Sequence, residues 1–356
     1  MKKHRIKTMA LALLVIASAA ALLWRPQAVA SGVSRGLAVC GQTLVPSLFP
    51  FLVLGGFAAR SGLAAAAGRR LETATRRLFG LSGVCATGIL LSMTGGYPTG
   101  GAVVGELVKS GQIPREEGRR MLRFCVNGGP GFIIGTVGAG LMGSVPLGVL
   151  LFACNAASSL LIGVASAPRH SRKRRVTQHC VTLSQPPVAA LTSAVTAAME
   201  SLFSMCGFVL LFSAVVAFFD SMGLERRLSL LLSCVLEVSG GCAAAAALQD
   251  NAVFFLGFAV GFGGLSVHCQ LAGALRGMGL VDARFFAARV LQGVLTAVSA
   301  TVLFRYIPVS LPVGGVLDTP VVQAGYGSAT VSVMLLVLGG IWMLTVGGER
   351  CLDKDT

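Results

Sequence analysis

Apolar residues along this chain come in long runs, and short basic blocks separate them. The runs cover 8–24, 37–59, 78–108, 124–142, 145–165, 188–219, 228–248, 252–275, 285–304 and 326–346. Most reach the roughly 20 residues that cross a bilayer core. A helix on a soluble core shows only an apolar stripe of period 3.6. The pattern predicts an all-α polytopic membrane protein. Four runs carry an interruption. The run 78–108 is broken by Thr94-Gly95-Gly96-Tyr97-Pro98-Thr99-Gly100-Gly101, and 228–248 by Glu237-Val238-Ser239-Gly240-Gly241. The run 124–142 opens on Asn127-Gly128-Gly129-Pro130-Gly131-Phe132, and 252–275 contains Gly261-Phe262-Gly263-Gly264-Leu265-Ser266.

Composition agrees. Of 356 residues, 54% are hydrophobic and 12% charged, against about 25% charged in a soluble domain. The net charge of +15 does not point to nucleic acid, because the Lys and Arg lie in the blocks between apolar runs. There they report orientation. If every run crossed, the blocks at 60–77 and 109–123 would face opposite sides. If instead 78–108 and 228–248 enter and return on one side, 24 of the 29 Lys and Arg share a side and 5 remain on the other. That count predicts eight transmembrane helices, two re-entrant Gly-broken hairpins, and both termini cytoplasmic.

The predicted organisation is a first helix and connector (1–36), a first repeat (37–166), a basic cytoplasmic linker (167–187), a second repeat (188–306), and a last helix with its tail (307–356). Residues 8–24 read as a retained helix, although Ala28-Val29-Ala30 resembles a cleavage site. The two halves show the same signals in the same order. Leu48-Phe49-Pro50-Phe51 is echoed by Leu202-Phe203-Ser204-Met205, Gly95-Gly96 by Gly240-Gly241, and Gly128-Gly129 by Gly263-Gly264. The charge count runs 37–59 and 188–219 in opposite directions, so the repeats are inverted. Inverted repeats with discontinuous helices are a secondary-transporter architecture.

Reactive chemistry is not visible in the pattern. The ten Cys are scattered without a CxxC pair and without His at ligand spacing, so no zinc or iron–sulfur site is expected and they read as small buried apolar residues. No phosphate-binding loop, hydrolase elbow or dinucleotide fingerprint occurs. The chain is expected not to be an enzyme, and no cofactor is implied. Its expected partners are the lipid bilayer and a small solute; accessory proteins are left open.

The candidate site residues cluster at the breaks. Gly95, Gly96, Pro98, Gly128, Gly129, Pro130, Gly240, Gly241, Gly263 and Gly264 are the expected hinge or broken-helix positions. Thr94, Tyr97, Thr99, Asn127, Ser239, Ser266 and Gln270 offer hydroxyls or amides to a substrate without burying a charge. Glu237 and Glu200 are carboxylates inside apolar runs, where charge is costly and marks function. They read as coupling groups, with a helix cap or interhelical hydrogen bond as the structural alternative. His268 reads as a structural hydrogen bonder, and Glu106 as one partner of a surface ion pair.

At these broken segments the sequence resembles the YlbJ-type sporulation integral membrane proteins of the nucleoside-recognition, or Gate-domain, group. The resemblance rests on the four motifs above, with Pro46-Ser47-Leu48-Phe49-Pro50-Phe51, over about 37–305. The first motif in that family often ends Gly-Ala-Lys, whereas here it reads Gly100-Gly101-Ala102. The resemblance implies a multi-pass protein of the cell membrane or outer forespore membrane in an endospore former. It implies transport of dipicolinic acid from mother cell to forespore. A nucleoside or metal-ion transporter, or a non-transporting scaffold for spore assembly, are the other readings.

Overall fold

Residues 26–60 and 187–221 form two long helical columns that pack side by side. The first joins α1 (Pro26–Val39), a π-turn (Cys40–Leu44) and α2 (Val45–Arg60). The second is one helix of 35 residues, here numbered α8 (Pro187–Ser221). Small residues set their closeness. A Cβ added at Gly32 would lie 2.5 Å from the Ala217 Cβ, and one at Gly56 would lie 3.3 Å from the Ala194 Cβ. Gly36 meets Ser213 between them. Contacts that rise along one helix and fall along the other make the pair antiparallel. Close backbone approach over small residues is how helices associate without a hydrophobic drive between them.

This computed structural model describes residues 22–168, 185–248 and 251–306, with scattered positions between 9 and 20. All lie within one unit, Met1–Val313. The described residues contain helices and turns but no strand. Between the columns in sequence come α3 (Leu63–Phe79), α4 (Cys85–Thr94), α5 (Tyr97–Lys109), α6 (Arg115–Leu122), a π-helix (Gly131–Leu141) and α7 (Val145–Ala165). After α8 follow α9 (Arg226–Leu236), α10 (Val238–Ala246), α11 (Ala252–Phe262), α12 (Gly264–Ala274) and α13 (Ala283–Tyr306).

Among the described residues, four stretches are long and apolar enough to cross a membrane: Val145–Ala165, Pro187–Ser221, Ala252–Ala274 and Ala283–Tyr306. The third is interrupted at Gly263. The fourth packs on it through glycine. A Cβ at Gly257 would come within 2.8 Å of Ala297 Cα, and one at Gly261 within 2.7 Å of the Gln292 carbonyl.

Several boundaries differ from the sequence reading. The run expected to start at 37 is helical from Pro26, because Pro26 suits a first helical turn. The block 60–77 is not a loop. Leu63–Phe79 is an amphipathic helix with Arg69, Arg70, Arg76 and Arg77 exposed and Thr75 and Phe79 buried. The run 124–142 is not one span. Residues 123–129 are irregular, and the π-helix after them has 11 residues. Gly128-Gly129-Pro130 interrupts the backbone there, and Gly138 lets α7 in, with Gly148 Cα 2.5 Å from where its Cβ would be. The expected first helix, 8–24, is described only in part, and most of the linker and the last helix lie outside the described residues.

On the basic side, α6 ties two regions together. Glu117 accepts hydrogen bonds from the Ser82 amide at 2.9 Å and the Ser82 hydroxyl at 3.0 Å. Arg119 donates to the Gly279 carbonyl at 2.8 Å, and Arg123 lies 3.8 Å from Asp282.

Candidate functional site

Four helices begin around one small cavity. The helix α4 stops at Thr94 and α5 starts at Tyr97, with Gly96 between them at φ +83° and ψ −178°. This backbone region is open essentially to glycine alone. The helix α9 stops at Leu236 and α10 starts at Val238, with Glu237 extended between them. The π-helix starts after Gly129-Pro130, and α12 starts after Gly263 at φ +85°. The breaks touch in pairs. A Cβ at Gly129 would fall 3.0 Å from the Gly96 nitrogen, and one at Gly264 would fall 3.1 Å from Glu237 Cα.

The cavity between these ends is about 30 Å³, room for about two water molecules. Its walls include Gly95, Gly96, Tyr97, Gly129, Glu237, Ser239, Ser266 and Gln270. Leu48 and Leu52 of α2 and Met205 of α8 close it with apolar atoms. Peptide N–H groups in a first helical turn lack intrahelical partners, and the aligned dipoles add partial positive charge. Four such ends facing one space favour an anion there. One of the four is already occupied. Glu237 accepts from the Ser239 amide at 2.9 Å and the Gly240 amide at 2.6 Å, capping α10 with its own carboxylate. Ser266, 1% exposed and in the first turn of α12, lines the same space.

The remaining expected site residues fall elsewhere. Thr94 and Thr99 turn their hydroxyls back onto the Leu90 and Gly95 carbonyls, at 3.1 and 2.8 Å. Asn127 is fully buried behind the cavity wall. Glu200 is exposed on α8, away from the breaks. Pro98 sits in the first turn of α5, Gly128 beside the Tyr97 hydroxyl, and Pro130 ahead of the π-helix. Gly240 and Gly241 are not at the break as expected but inside α10. The carboxylate of Glu237 can satisfy the helix start, so the chain unwinds there without glycine. Gly241 serves packing instead, since its Cβ would meet Cys234 Cα at 2.6 Å. Thr99-Gly100-Gly101 are the third to fifth residues of α5, and Ser239-Gly240-Gly241 the second to fourth of α10.

A set of polar residues behind the cavity was missed. Arg289, counted above as a basic-block charge, is fully buried on α13, as are Gln292 and Thr296. Their spacing places them on one helix face, and that periodicity was the available signal. Asn155 and Ser159 of α7 join them. His268 packs edge-on against Phe262, Phe285 and Phe286, as a structural histidine would.

Over 346 residues the chain is 27% identical to the sporulation integral membrane protein YlbJ of Bacillus subtilis (strain 168), covering 86% of this chain and 85% of that protein. No family model matches the chain. No solved structure matches it. The near full-length similarity supports membership of the YlbJ-type family.

Proposed function

We propose that this YlbJ-type chain is a multi-pass membrane transporter that carries a small carboxylate anion, dipicolinic acid, across an envelope membrane during sporulation. The observation that carries the reading is the convergence of four helix starts on one cavity. Interrupted helices whose N-termini point at a substrate carboxylate are a transporter device. Irregular backbone at membrane depth is tolerated where it lines a cavity or is buried in protein. Glu237 already covers the start of α10. The starts of α5, α12 and the π-helix are left for the two carboxylates of the cargo.

The closed cavity is far smaller than dipicolinate, so the walls must part to admit it. The antiparallel columns 26–60 and 187–221 support a pair of oppositely oriented halves, with the cavity between their breaks. In this reading 78–108 and 228–248 are the re-entrant hairpins, and the basic blocks face the cytoplasm. The solute moves unchanged, so the chain itself is not an enzyme. The sporulation role rests on the similarity to YlbJ. The Gate-domain relation rests on the motifs.

The test is uptake into vesicles holding the purified protein. Radiolabelled dipicolinate should enter saturably, resist competition by a nucleoside, and fail to enter with Gly96→Leu. In the endospore-forming host, deletion should leave dipicolinate in the mother cell and little in the spore. Normal spore dipicolinate together with no uptake above empty vesicles would retire the proposal.

A further inference from the structure

The interrupted helix α11 ends on carbonyls that the next helix does not satisfy. A helix leaves four such groups at its C-terminus. Here the last-turn carbonyls are bonded one by one. Ala259 O accepts from the Gly263 amide at 2.8 Å. Val260 O accepts from the Tyr97 hydroxyl at 2.6 Å. Gly261 O accepts from Arg289 Nη2. Phe262 O has His268 Nε2 at 3.1 Å and Arg289 Nε at 3.5 Å. None of the ion pairs among the described residues includes Arg289. Its charge is answered instead by the negative end of the α11 dipole.

The same guanidinium reaches the other half of the chain. Arg289 Nη1 donates to Gln292 Oε1 at 2.7 Å. Gln292 Nε2 donates to Asn127 Oδ1 at 2.7 Å and Asn155 Oδ1 at 2.9 Å. Asn127 Nδ2 donates to the Phe124 carbonyl at 2.7 Å, and Ser159 donates there at 2.5 Å. Phe124 lies just past the end of α6, in the irregular stretch before Gly128-Gly129. An unbroken polar chain therefore runs from the carbonyl end of one break, through α13, to the carbonyl end of the other.

We propose that Arg289, Gln292 and Asn127 are positioning residues that make the breaks at 124–130 and 260–264 open as one unit. A fully buried polar chain is costly when any member loses its partner. Movement of the 124–130 break alone would take the Asn127 Oδ1 acceptor away from Gln292, and movement of the 260–264 break alone would take the Gly261 and Phe262 carbonyls away from Arg289. The chain also holds spare capacity, because Asn155 Nδ2 and Thr296 Oγ1 are buried without partners. Those atoms offer replacements when both breaks move together.

The test is amide hydrogen exchange by mass spectrometry on the full chain in lipid nanodiscs, with no cargo present. Asn127→Ala should speed exchange at 259–267 by about tenfold, as expected for one buried hydrogen bond. In a Gln292→Met background the same substitution should leave 259–267 unchanged from Gln292→Met alone. Arg289→Lys, read at 124–133, is the reverse arm and decides equally if Asn127→Ala fails to insert. Exchange that rises only in the segment holding the substituted residue would overturn the proposal. So would a remote effect that survives Gln292→Met. Because no solute is involved, this outcome is separate from the fate of the dipicolinate reading.

Discussion

The Tyr97 hydroxyl donates to the Val260 carbonyl at 2.6 Å, across 163 positions of sequence. The bond joins the first residue of α5 to the last turn of α11. It fixes the ring that forms one wall of the cavity, edge-on to Phe132 at 6.3 Å between centroids. Tyr97→Phe should keep the ring and orphan the carbonyl, a cost of about 1–3 kcal/mol when buried. The expected result is a lower melting temperature in detergent and a several-fold fall in uptake. Wild-type values for both would show the bond to be dispensable.

Glycine substitutions should separate conformation from packing. Gly96→Ala forces a side chain into a backbone region that costs about 1–3 kcal/mol to hold. Gly241→Leu pushes its Cβ against the α9 backbone. Both should abolish uptake while leaving protein in the membrane. Gly207, with nothing within 4 Å of an added Cβ, is the control. Gly207→Ala should be neutral or slightly stabilising, as alanine favours helix by up to about 1 kcal/mol. Equal behaviour of all three variants would contradict the packing described here.

Orientation can be measured directly. The exposed Glu116 on α6 belongs to the block that the charge count assigns to the cytoplasm. In a cysteine-depleted background, Glu116→Cys should resist a membrane-impermeant thiol reagent in intact cells. It should react once the cells are permeabilised. Labelling in intact cells would reverse the orientation and with it the assignment of the hairpins.

The breaks were legible where backbone chemistry alone decides them. Gly95-Gly96 and Gly128-Gly129-Pro130 cannot continue a helix cheaply, whatever surrounds them. The second break was harder to place, because the expected unwinding at Gly240-Gly241 falls instead at Glu237, whose side chain caps the helix start. The buried chain on α13 was harder still. Arg289 stands at the edge of an apolar run, where most arginines face water. Its burial depends on carbonyls of α11, which no local pattern reveals. Asn127 shows the same limit. Its position beside a break was readable, but a partner 165 positions away fixes its amide.

Glu237 is where the structure bears most directly on the proposed transport. Its two oxygens hold two amides at the start of α10, and its side chain borders the cavity. A fixed negative charge beside an anionic cargo would repel it by several kcal/mol in a poorly screened site. In the proposed transport reading, entry of an anion requires a proton on Glu237 or its withdrawal from the cavity. Glu237→Ala removes the cap, a loss of about 0.5–2 kcal/mol, and should reduce both stability and uptake. Glu237→Gln keeps a neutral oxygen able to accept from one amide. It should retain binding and lose the pH dependence of uptake. The measurement is initial uptake rate from about pH 5.5 to 8. A Gln variant whose profile overlays the wild type would leave Glu237 as a cap alone, and the proton would have to be carried elsewhere.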